Sequence, residues 1–122
     1  MSAHRYRARP SDDYALRALV SDLQARLSVE VHLTRSPHAP ILVLHVIRVP
    51  EHLRGEGRAE AALAAICAWA DDRGLSVALT PSGDFGASRP RLERWYRRHG
   101  FRLNAGRRRD FAVRETMIRD SR

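Results

Sequence analysis

Lysine is absent from this chain. All 22 basic residues are arginine, and against 14 acidic residues they give a net charge of +8. A protein without lysine offers only its α-amino group as an amine of its own. The arginine excess and the many alanines are the usage of a GC-rich coding sequence. The charge itself suits phosphate-bearing ligands, acidic proteins or nucleic acid. One cysteine, Cys67, excludes an internal disulfide and fits a reducing compartment. His4, His32, His38, His45, His52 and His99 show no His-x-x-x-His spacing, and Cys-x-x-Cys is missing too, so no metal site is expected. Nor is there a Gly-x-Ser-x-Gly or Cys/His signature of covalent catalysis. The longest apolar run, residues 41–49, contains His45 and Arg48 and is too short to cross a bilayer. Residues 1–7 lack the apolar core of a signal peptide, and a cytoplasmic protein is expected.

What remains suffices for one core. With 122 residues and 43% hydrophobic side chains, a single domain over 1–122 is expected. Ser11 before Asp12 and Asp13 reads as a helix cap with an acidic first turn. Leu16, Leu19, Val20, Leu23 and Leu27 follow at helical spacing. Val29, Val31 and Leu33 alternate with polar residues, as in a half-buried strand. Residues 41–49 predict a strand covered on both faces. After Pro50 and a glycine loop, residues 57–73 predict a helix with Leu63, Ile66, Trp69 and Ala70 inward, ended by Gly74. A short strand at 75–80 and a loop at 81–88 come next. Ser88 and Pro90 then open a helix in which Leu92, Trp95, Tyr96 and His99 share a face. Two final strands are expected, at 101–103 and 110–118. The order helix, two strands, helix, strand, helix, two strands predicts an α+β (mixed α/β) layer around one sheet.

The loop Arg54-Gly55-Glu56-Gly57-Arg58-Ala59 sits between a buried strand and a helix. Glycines there allow close approach of a ligand to the backbone, and the unpaired first-turn amides with the helix dipole suit a pyrophosphate. It is neither a P-loop nor a G-x-G-x-x-G fingerprint, because Glu60 stands where the third glycine would be.

In context the loop resembles the cofactor segment of the GNAT superfamily of N-acetyltransferases. Arg54, Gly57 and Ala59 occupy the positions of that family's Arg/Gln-x-x-Gly-x-Gly/Ala fingerprint. Downstream, the helix with Tyr96 four residues before Gly100-Phe101 resembles its second landmark. Together the likeness covers about residues 41 to 118, and Thr80-Pro81-Ser82-Gly83-Asp84-Phe85-Gly86, with Asn104-Ala105-Gly106-Arg107 and Asp110-Phe111, looks most like short members from phage and prophage genomes. Arg89 and Leu92 depart from the Asn and Ala that many members place seven and four residues before the tyrosine.

The resemblance implies a mostly antiparallel sheet flanked by about three helices, and acetyl-CoA as donor with CoA as product. It implies that backbone groups of Gly55, Glu56, Gly57, Arg58 and Ala59, with Arg54, hold the pyrophosphate. The strand around Ile47 and Val49 would splay from the next strand and pair with the pantetheine arm. An amine would attack the thioester directly and Tyr96 would protonate the departing thiolate, as a phenol protonated at neutral pH can. Asp84 and His45 are alternative candidates for the general base; Glu30 and Glu51 are weaker ones. The acceptor class is an amine-bearing small molecule, a protein N-terminus or a lysine, in a monomer or homodimer. Two alternatives stay open: a CoA-binding protein without efficient turnover, and a nucleic-acid-associated protein using Arg94, Arg97, Arg98, Arg102 and Arg107 to Arg109.

Overall fold

A computed structural model describes residues 10–81 and 88–122. The chain runs through helix α1 (Pro10–Leu27), strands β1 (Glu30–Arg35) and β2 (Ile41–Arg48), and a 3-10 turn at Glu51–Leu53. Helix α2 (Arg58–Asp72), strand β3 (Ser76–Leu79), helix α3 (Arg89–Arg98) and strands β4 (Arg102–Leu103) and β5 (Met117–Arg119) follow. The class is mixed α+β: three helices on a five-stranded sheet of order β1-β2-β3-β5-β4. Three of its pairings are antiparallel and one, β2 with β3, is parallel. No helix among the described residues is long and apolar enough to cross a membrane.

Helix α1 starts at Pro10, one residue before the cap position expected at Ser11. Proline is at home in a first turn, where its missing N–H had no partner to lose. The apolar stripe behaves as its spacing dictates: Leu16 and Leu23 are buried, and Leu19, Val20 and Leu27 pack at their edges. Arg35 of β1 pins the start of this helix through Asp12 at 2.9 Å. From α2, Leu63, Ile66, Cys67 and Ala70 meet Leu42, Leu44 and Val77 of the sheet. Each fully buried Leu or Ile there contributes roughly 1.5–3 kcal/mol of burial free energy.

Two expectations need correction. Residues 41–49 were expected to be covered on both faces, but only one face of β2 carries the main core. The other holds a small cluster of Ile41, Ala78, Val113 and Ile118, and the far end of the strand exposes His45 and Arg48. The last strand, expected at 110–118, is only Met117–Arg119. Its first part is drawn into a loop by buried Asn104. The Asn104 amide donates to the carbonyls of Asp110, Val113 and Glu115 at 3.2, 3.1 and 3.1 Å and accepts from the Asp110 N–H at 2.7 Å. Backbone groups held by a side chain in this way are lost to a strand ladder.

Candidate active site

The sheet opens at its one parallel pairing. Strands β2 and β3 pair only at Ile41–Ser76, Leu42–Val77 and Val43–Ala78, yet β2 continues to Arg48. Two local features separate them. Pro81 follows close behind β3 and has no N–H for a ladder. On the other side of β2 the β1–β2 register slips between His32 and Leu33: His32 faces Val46, Leu33 faces Leu44, and His45 is the extra residue. Such a bulge bends and twists its strand. It also reverses side-chain parity, so Leu42 and Leu44, then Ile47 and Val49, all pack on the same core. An unbroken strand cannot do that, because its side chains alternate strictly.

The bulge determines where His45 goes. A regular strand would put it on the face of Ile47 and Val49; instead it is exposed and meets Thr34, with Nε2 2.8 Å from Thr34 Oγ1. Thr34 pairs with Val43, whose side chain lies on the opposite face from Leu44.

Residues 44–48 of β2, with Leu79, Thr80, Pro81, Leu92 and Tyr96, line the resulting gap. Tyr96 is half-buried there, and burial pushes its phenol up to about 12. Helix α3 delivers it. Ser88 caps that helix, its Oγ accepting from the Arg91 N–H, and Leu92, Trp95, Tyr96 and His99 form the half-buried stripe expected from their spacing. Trp95 and Phe101 hold the ring edge-on at centroid distances of 4.8 and 5.5 Å.

The glycine loop follows β2 and leads into α2. Gly57 is the N-cap of α2 in left-handed conformation, φ 75°, and provides no side-chain cap for the first-turn amides. Gly55 is also left-handed, at 85°, and a Cβ added to either glycine meets nothing within 4 Å. The cradle is therefore open on its ligand side and shaped by backbone that other residues rarely adopt. A cleft of about 260 Å³ lies over it, lined by Val49, Leu53, Arg54, Gly55, Gly57, Arg58, Ala59, Glu60 and Trp95. Val49 joins this cleft to β2, and Trp95 joins it to the Tyr96 helix. Glu60 Oε1 meets His99 Nε2 at 3.1 Å, tying the first turn of α2 to the end of α3.

The Arg58 side chain turns away from the cleft. Its Nη1 donates to the Leu27 carbonyl at the C-terminus of α1 at 2.7 Å, and its Nη2 lies 3.5 Å from Glu56 Oε1. Arg54 Nε donates to the Val49 carbonyl at 3.3 Å, which keeps its guanidinium beside the loop. Glu30 and Glu51 line a further depression with Gln24, Ser28 and Arg48, which shares Val49 and Arg54 with the cleft over the glycine loop; Arg48 lies 3.4 Å from Glu30. Asp84 lies outside the described residues. Among the described residues no group of three or more His, Cys, Asp or Glu is placed to hold a metal ion.

His45, Ile47 and Tyr96 line the gap between β2 and β3, while Val49, Arg54, Gly55, Gly57, Arg58 and Ala59 line a second cleft over the glycine loop. Trp95 and Thr34 were not singled out from sequence. Trp95 carried a signal, its place on the Tyr96 stripe. Thr34 carried none, because its contact depends on the bulge. No protein-family model, curated protein or solved structure matches this chain.

Proposed function

We propose that this chain is a cytoplasmic, acetyl-CoA-dependent N-acetyltransferase of GNAT type, acting on a primary amine. The observation that carries the reading is the divergence of β2 from β3 after Val43–Ala78, with Tyr96 on its wall; a glycine cradle with its own cleft follows β2. A strand edge without its neighbour leaves N–H and C=O groups that an amide-bearing arm such as pantetheine can pair with. The cradle adds first-turn amides and the positive end of a 15-residue helix for a pyrophosphate. The residues present fit such a ligand, since no side chain occupies the space above Gly55 and Gly57.

Acetyl-CoA supplies an activated acyl group as a thioester. The residues of this chain hold it and move protons. Tyr96, protonated throughout the neutral range, donates its proton to the leaving sulfur. His45, whose Nε2 lies 2.8 Å from Thr34 Oγ1, takes the proton of the attacking amine.

Thermal melts with and without 1 mM acetyl-CoA test the reading. Ligand at a hundred times its Kd stabilises by about 2.7 kcal/mol, a shift of several degrees for a domain of this size. A thiol-release assay over primary-amine classes then measures turnover. An unshifted melt at millimolar acetyl-CoA overturns the proposal.

A further inference from the structure

The loop between β4 and β5 has a part in none of this chemistry, yet it is carefully built. Every hydrogen-bonding atom of the Asn104 amide is spent on holding it, and Val113 anchors it in the second apolar cluster. What it displays outward is Phe111, 83% exposed, with the Arg109 guanidinium 4.9 Å from the ring centroid. Arg107, Arg109 and Arg114 are exposed beside it, and among the described residues no carboxylate stands within ion-pair distance of them. Asp120 takes Arg102 and Arg108, and Asp110 accepts from the Ala112 N–H.

A phenyl ring on a preorganised loop, with the Arg109 guanidinium over one face and most of its surface exposed, has a definite complement. The ring offers a π-face to a flat partner, and the arginines offer charge to groups on either side of it. Unpaired nucleotides present both: bases to stack and a phosphate beside each base. An acidic peptide would answer the charge and leave the ring unused. A duplex would keep its bases stacked on one another and out of reach of the ring. The net charge of +8 favours approach of any polyanion.

We propose that the loop carrying Arg107, Arg109, Phe111 and Arg114 is a docking surface for single-stranded nucleic acid, with Phe111 stacked on a base and the arginines on flanking phosphates. It is independent of the acetyl-transfer reading and stands or falls separately from it.

Fluorescence anisotropy with a labelled 15-nucleotide oligothymidylate tests it, on the full chain at several salt concentrations. Phe111→Ala should weaken binding about five- to a hundredfold, the range for losing one stacked base. The triple variant Arg107→Gln/Arg109→Gln/Arg114→Gln should lower the slope of log Kd against log salt by about 2, at ~0.7 per single-strand phosphate contact. Thermal melts of both variants should match the parent, because the altered side chains are exposed; a variant that melts early is replaced by Phe111→Ser or by single arginine changes. Phe111→Trp should retain binding, with indole fluorescence quenched by the oligonucleotide. The proposal is overturned if Phe111→Ala binds as the parent does. It is equally overturned if polyglutamate or a duplex of the same length binds as tightly as the single strand.

Discussion

His45 Nε2 and Thr34 Oγ1 lie 2.8 Å apart across β1 and β2, at the step where the register of the pair slips by one residue. The contact holds the imidazole on the exposed, β1 side of β2, and His45 is also among the residues lining the gap between β2 and β3. If His45 accepts the amine proton, His45→Gln should lower kcat about 10²- to 10⁴-fold, the range for losing a positioned base. Thr34→Val keeps the imidazole and removes its partner, so it should cost less rate. Turnover of the two variants against the parent separates these roles. Equal losses in both would assign the pair to the fold alone.

Tyr96 should behave differently, since burial holds its phenol near 12 against the ordinary 10.0. Tyr96→Phe should lower turnover about 10²- to 10⁴-fold while keeping the acetyl-CoA-induced shift in Tm. A CoA-binding protein without turnover would show the shift in both forms and no rate to lose. The raised value also gives a stability signature. The folded chain retains this proton where the unfolded chain releases it, so the contribution is complete below pH 10 and is lost as pH climbs towards 12. Alkaline unfolding followed by ultraviolet absorbance should show one tyrosine ionising late in the parent and none doing so in the variant.

The order of helices and strands is legible in the sequence because apolar spacing, glycine stops and the Ser88 cap agree with one another. The cradle is legible for the same reason, since two glycines before an Ala/Leu helix have little else to do than turn the backbone. The bulge is not. In Ile41-Leu42-Val43-Leu44-His45-Val46-Ile47 nearly every residue is apolar, so a change of parity leaves no mark in the pattern. The short last strand is hidden as well. Nothing local to residues 110–116 announces that Asn104, from the preceding strand's end, will capture their carbonyls.

Arg119 and Asp71 form the most enclosed two-armed pair of the described residues. Nη1–Oδ1 is 2.8 Å and Nη2–Oδ2 is 2.9 Å, while Arg119 Nε donates to the His99 carbonyl. The Arg119 contact is the main reason the Asp71 carboxyl sits below its usual 3.8. Joining the end of α2, the end of α3 and β5, the pair should contribute about 1–3 kcal/mol, and Asp71→Asn should forfeit it. Its contribution is complete above pH 3.8 and lost as pH falls through the lowered folded value. Urea titrations at pH 7 and pH 3 should therefore differ less for Asp71→Asn than for the parent.

Two glycines with the same backbone strain separate ligand binding from folding. Gly57 has φ 75° at the start of α2 and Gly74 has φ 65° just past its end; a Cβ added to either meets nothing within 4 Å. An L-residue in the left-handed region costs about 1–2 kcal/mol, so Gly57→Ala and Gly74→Ala should lower Tm by similar small amounts. Their response to acetyl-CoA should differ. At position 57 the new methyl group enters the space where phosphates would approach the first-turn amides, whereas position 74 lies a helix length away. Gly74→Ala should keep the full acetyl-CoA-induced shift in Tm and Gly57→Ala should lose most of it. If the two variants respond alike, the pyrophosphate is not held at the start of α2.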